Sequence, residues 1–193
     1  MARASNREKL LVAGLGLIHE HGYNATSVRD VVRAAGVPQG CFTNHFTSKE
    51  AFGLEVLGLY RSEKREDAHK TLLDDNLLPL ERIGAYIDAR TERFKQNGMR
   101  CGCMFGNFAA ESSSESEAIR LELLDIFAES RRAMRYCLEA AVRAGDLPPA
   151  FDCDEAAALI LSSLQGAFLT AKTERGAAPV ERFKKFLFAA ILR

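Results

Sequence analysis

Two helix signals on either side of a break at residues 36–38 constrain this chain more than any other feature. Ser27 and Asp30 stand at the spacing of a capping box, in which the serine oxygen accepts from a free backbone N–H and the acid reaches back to the cap. The spacing predicts a helix starting at Val28. Val28, Val31 and Val32, with Ala35 beyond them, recur at helical period and turn Arg29 and Arg33 outward. Gly36 ends this helix, because glycine readily takes the left-handed conformation a helix end needs. Pro38 cannot continue it but suits the first turn of a new one. A second helix is predicted at residues 38–46. Isolated helices below about 12 residues are marginal in water, so packing must hold it, and Phe42 and Phe46, four apart, supply the apolar face.

Two helices joined by a three- or four-residue turn make a helix-turn-helix. The second helix leaves Gln39, Gly40, Thr43, Asn44 and His45 available to a partner. Such small or neutral hydrogen-bonding groups can read base edges and touch phosphates in a DNA major groove. Similar helix pairs occur in proteins that never meet DNA, so periodicity alone leaves open a helical ligand carrier or an interaction adaptor.

The formal net charge of zero is not that of a bulk nucleic-acid binder. Its distribution is uneven, however. Residues 1–50 hold six Lys or Arg against four acids, whereas residues 111–129 hold six acids against the single base Arg120. A dimer presenting its N-terminal ends side by side would show DNA a weakly positive face, and its binding would fall steeply with salt. At 193 residues, 47% hydrophobic and 27% charged, the chain has the composition of an ordinary globular protein. No run of about 18 apolar residues and no signal-peptide pattern is present, so a cytoplasmic location is expected. Five cysteines without framework spacing fit reduced thiols there.

The pattern reads as all-α, with nine helices and no strand. They fall at residues 6–20, 28–35, 38–46, 48–73, 78–96, 103–110, from the loop at 112–116 to Gly145, 152–174, and 179–192. The fourth is apolar near its start and polar later, as a lever between two domains would be. The eighth carries Leu159, Ile160, Leu164 and Phe168 with Ser162, Ser163 and Gly166 between them, so it is apolar on more than one side. It is either the buried centre of one domain or part of a subunit interface built with the last helix.

The order and spacing of several pieces go beyond periodicity: His21-Gly22-Tyr23, Thr26-Ser27-Val28-Arg29-Asp30, Ala35-Gly36-Val37, Gly40, and Phe46-Thr47-Ser48-Lys49-Glu50. From about residue 6 to residue 57 the chain resembles the N-terminal domain of the TetR family of transcriptional repressors. That resemblance implies a helix-turn-helix domain at residues 1–54 and a regulatory domain for effector binding and dimerisation at 55–193. It implies a homodimer through the last two helices on a palindromic double-stranded operator, released by a small-molecule or electrophile effector. It also implies that Arg29 and the 39–45 helix face the major groove, and that Ser27, Thr43, His45 and Lys49 contact phosphates. Two positions depart from the family pattern, which usually has tyrosine at Thr43 and an aromatic at His45. Cys41 stands where serine or threonine is common.

No catalytic constellation, metal site or cofactor motif stands out, so a non-enzymatic role is expected. Met99-Arg100-Cys101-Gly102-Cys103-Met104-Phe105-Gly106-Asn107-Phe108 instead gathers glycines with adaptable, polarizable side chains. The expected effector pocket is lined by Met99, Cys103, Met104, Phe105 and Phe108, with Phe127, Met134 and Phe168 from later helices; the alternative is that these are simply core. Cys101 and Cys103 admit three readings: plain buried thiols, a zinc site lacking its other ligands, or a reactive thiol near Arg100 and a helix start. Gly102-Cys103-Met104, followed by Ala109-Ala110-Glu111 and, much later, Gln165-Gly166-Ala167 and Ala171-Lys172, resembles the branch that includes the N-ethylmaleimide-responsive repressor of electrophile-detoxification genes. That likeness implies Cys103 as sensor and Lys172 as a nearby cation.

Overall fold

A computed structural model describes residues 5–193, which form helices and no strand. The helices are α1 (Asn6–His21), α2 (Val28–Ala35), α3 (Gly40–His45), α4 (Lys49–His69), α5 (Pro79–Gln96), α6 (Met104–Ser112), α7 (Glu117–Ala144), α8 (Cys153–Glu174) and α9 (Ala178–Phe186). The last continues into one wider π-helical turn, Leu187–Ile191.

The chain divides into two compact units. The first runs up to Ser62 and takes in Cys103–Leu124; the second joins Glu63–Gly102 to Asp125–Arg193. This differs from a regulatory domain beginning at residue 55, because α6 and the start of α7 group with the N-terminal helices. The reason is aromatic packing between distant segments. The Phe108 ring lies 4.8 Å from Tyr23, and Phe105 meets Tyr60 edge-on at 4.8 Å.

The first unit is built around Phe52. Its ring meets Phe42 at 5.2 Å and Phe46 at 4.9 Å, the last two are themselves 5.2 Å apart, and all three are buried. Offset and edge-on aromatic pairs add to the apolar area they bury. Gly14 on α1 makes room: a Cβ there would overlap the Phe52 ring edge. Leu10, Ile18, Val31, Val56 and Leu57 complete the core. Helix α1 opens with its own capping box, Ser5 Oγ accepting from Glu8 N–H at 3.2 Å and the Ser5 N–H donating to Glu8 Oε2 at 2.8 Å.

The second unit packs α5, α7, α8 and α9 around Ile83, Ile87, Met134, Leu138, Leu164 and Phe168. Arg82 is buried, and its charge is answered by Asp75 at 2.6 Å and the Leu77 carbonyl at 2.9 Å. Helices α8 and α9 lie against each other.

Most helix bounds shift by a residue or two from the sequence reading, and three shifts have a visible form. Helix α4 stops at His69 rather than 73, because the Thr71 hydroxyl takes the Asp67 carbonyl at 2.7 Å and Leu73 N–H closes back on Ala68 at 2.9 Å. Pro38 and Gln39 form a tight lead-in to α3, with Cys41 N–H bonded three residues back to the Pro38 carbonyl. At the C-terminus the α geometry ends at Phe186, and the last turn is π.

Candidate nucleic-acid interface

The local signals around residue 30 take the form their chemistry dictates. Ser27 Oγ accepts from Asp30 N–H, and Ser27 N–H donates to the Asp30 carboxylate, both at 3.2 Å. Hydrogen bonds from the Ser27 side chain and backbone hold the Asp30 carboxyl below its usual range. Gly36 sits in the left-handed region, φ 63° and ψ 34°, and its N–H closes onto the carbonyls of α2. The chain therefore turns sharply enough to set α3 beside α2.

Helix α3 divides cleanly by face. Phe42 and Phe46 are turned into the aromatic core, while Gln39, Gly40, Thr43, Asn44 and His45 are exposed. Arg29 on α2 is also exposed and joins no ion pair among the described residues. The Thr43 hydroxyl rests on the Gly40 carbonyl at 3.1 Å. A Cβ built at Gly40 would meet no atom within 4 Å, so the fold itself does not require glycine there. Glycine in a helix gives up roughly 0.5–1 kcal/mol relative to alanine, and a glycine on a bare surface leaves room for close approach by a partner backbone. Gly40→Ala should leave thermal stability equal or slightly higher while weakening DNA binding; unchanged binding in a gel-shift titration counts against that approach.

Two of the residues expected on phosphates have partners within the chain. Ser27 spends its hydroxyl in the capping box. Lys49 turns inward, its ammonium 3.3 Å from the Asn24 carbonyl and 4.6 Å above the Tyr23 ring. Burial lowers its pKa, and the nearby charge of Glu111 opposes that shift.

The residues expected around an effector separate between the units. Met104, Phe105 and Phe108 are buried in the first, where Cys103 precedes α6 as its partly exposed N-cap residue. Met134 and Phe168 belong to the second unit's core, and Met99, left-handed at φ 60°, packs against that core. Phe127 is 37% exposed: Ile126 takes the buried position, and the next residue on a helix is rotated about 100° away. Lys172 lies on α8, partly exposed. Cys137 is a buried thiol whose pKa is pushed up to about 11 by that burial, so it is inert at neutral pH.

A short exposed polar helix, packed by two phenylalanines behind a glycine turn and a capped partner helix, makes a helix-turn-helix, the unit by which one class of proteins reads DNA. Residues 10–56 match the model of bacterial regulatory proteins of the tetR family, and residues 79–187 match the tetracyclin repressor-like C-terminal domain. The chain is 35% identical over 192 residues to the HTH-type transcriptional repressor DhaR of Mycobacterium sp. (strain GP1), covering 100% of this chain and 95% of that protein. Among solved structures it resembles a TetR regulatory protein from Rhodobacter sphaeroides, with TM-score 0.90, 28% identity, and 94% and 96% of the two chains covered. It also resembles the reduced form of Escherichia coli NemR, with TM-score 0.84, 27% identity, and 95% and 96% covered. The chain belongs to the TetR family of transcriptional repressors.

Sequence reasoning quoted Glu111 within a motif and assigned it no contact. Its carboxylate accepts from Asn24 N–H at 2.9 Å across a separation of 87 residues, a contact that no local pattern announces.

Proposed function

We propose that this repressor binds a palindromic operator as a homodimer, with the exposed residues of α2 and α3 in successive major grooves, and leaves it when an effector acts on the regulatory half. The observation that carries the DNA-facing assignment is the division of α3 into a buried phenylalanine face and a bare polar face with an unfilled space at Gly40. Dimerisation through the last two helices is supported by large apolar side chains left exposed on them: Leu159 and Leu169 on α8, and Phe186 at 63% exposure at the end of α9. Gly166 lies between the two leucines with open space around it, which suits close approach of a second helix. A two-fold dimer matches a two-fold operator.

Release follows if the effector binds or modifies the form whose α3 helices are wrongly spaced for adjacent grooves. Cys103 is the proposed sensor thiol. Its partial exposure supports that reading, as does the description of a structurally similar repressor in a reduced form. No helix among the described residues is long and apolar enough to cross a membrane, and a cytoplasmic site of action, beside the DNA, is part of the proposal.

Selection of bound fragments from a random DNA pool tests the first part: enrichment of a palindrome is expected, and enrichment of no sequence or of one half-site overturns it. The sensor assignment is tested on the selected DNA. Iodoacetamide and quinones should modify Cys103 faster than a model thiol at neutral pH and release the operator, while Cys103→Ser should bind and resist release. Equal rates, or equal release of the serine variant, defeat the assignment.

A further inference from the structure

Three consecutive residues between α1 and α2 are each gripped from another helix of the first unit. Gly22 has φ 92°, and a Cβ there would overlap the Glu111 carboxylate. Tyr23 lies between the Phe108 ring of α6 and the Lys49 ammonium at the start of α4, and its own ring closes on Gly53. Asn24 is bracketed: its N–H donates to Glu111 Oε2 at 2.9 Å, its side-chain amide donates to the Glu111 carbonyl at 3.0 Å, and its carbonyl accepts from Lys49 Nζ at 3.3 Å. A backbone N–H donating to a carboxylate is a charge-assisted bond, roughly twice as strong as a neutral one. Glu111 and the Phe108 ring therefore both tie α6 to the turn that leads into α2, and Glu111 reaches through Asn24 to the first residue of α4.

We propose that Glu111 is a positioning residue for operator binding: its carboxylate fixes the 22–24 turn, and with it the entry angle of α2 and the N-terminal end of α4. Helix α2 starts four residues after Asn24, at Val28, and carries Arg29 as its second residue. Its cap, Ser27, fixes the backbone locally but not the direction from which α2 leaves the bundle. The Glu111 bridge sets that direction. Glycine is required at position 22 for the same reason, since any side chain there would push the carboxylate off Asn24.

The inference rests on α2 and α3 being the DNA-facing elements, and two variants with opposite defects test it. Glu111→Gln keeps the reach and an acceptor oxygen but loses the charge; Glu111→Asp keeps the charge but draws the acceptor back by one methylene. With full-length protein on the selected DNA, operator affinity should fall about tenfold or more in the aspartate variant and stay within about threefold of wild type in the glutamine variant. Affinities are normalised to folded dimer, measured by sedimentation and thermal unfolding, so a merely structural role would leave both unchanged. An aspartate variant within twofold of wild type, or a glutamine variant that loses as much as the aspartate one, overturns the assignment. Arg29→Ala is measured on the same DNA. Should it bind as wild type, the DNA-facing reading of α2 fails separately, while the two Glu111 variants still decide whether the bridge governs affinity.

Discussion

Alanine in place of Phe52 should destabilise the N-terminal unit by about 3–5 kcal/mol. The side chain is 2% exposed, lies edge-on or tilted against Phe42 and Phe46, and covers Gly14. No neighbour can fill the vacated volume easily, because Phe42 and Phe46 are fixed by the short helix that carries them and Gly14 has no side chain to move in. Natural domains have about 5–15 kcal/mol in total, so most or all of the reserve would be gone, and with it the support that makes α3 helical. Urea denaturation followed by far-ultraviolet circular dichroism, with a DNA titration in parallel, checks this. Val12→Ala, at a site 68% exposed, is the control and should change stability by less than about 0.5 kcal/mol. Equal effects of the two substitutions would show that the aromatic cluster is not the keystone described.

Arg29→Ala should weaken operator binding without changing folding or dimerisation. The residue is exposed on α2, one position beyond the first residue of the capped helix, and its removal bares no core. A well-placed arginine contact to a base is worth about 1–3 kcal/mol. A two-fold dimer loses it twice, so the expected loss is about 2–6 kcal/mol, roughly 30-fold to more than 10⁴-fold in affinity. Base readout is distinguishable from phosphate contact. Loss of a base contact relaxes sequence preference at one position of each half-site, whereas loss of a phosphate contact weakens all sequences alike and lowers the salt slope by about 0.9 per contact. The position of Arg29 leads us to expect the first pattern, and an unchanged gel shift would remove it from the interface.

The helix-turn-helix was legible because its determinants are local. Ser27 and Asp30 are three residues apart, Gly36 and Pro38 two, and Phe42 and Phe46 four, and each pair does in the structure what its spacing requires. The Ser5 and Glu8 box has the same spacing and could have been read the same way. What escaped the sequence is what long-range contact decides. Phe105 and Phe108 look like pocket lining from their neighbours in the chain, but Tyr60 and Tyr23, far away in sequence, claim their faces. At Phe127 the helical register gives the buried position to its neighbour Ile126. The reach of Lys49 to Asn24 is determined by how α4 meets the turn before α2, which no motif shows. The π turn at Leu187–Ile191 has no local signature in the sequence.

The membership of α6 in the first unit bears on how regulators of this kind can be recombined. A fragment cut after Ser62 would leave behind Phe105, Phe108 and Glu111, stripping the aromatic cover from Tyr60 and Tyr23 and the acceptor from Asn24. A chimera that grafts only the first 62 residues onto another regulator inherits a reading head with part of its own wall missing. The transplantable module is discontinuous, and Cys103–Leu124 must travel with it.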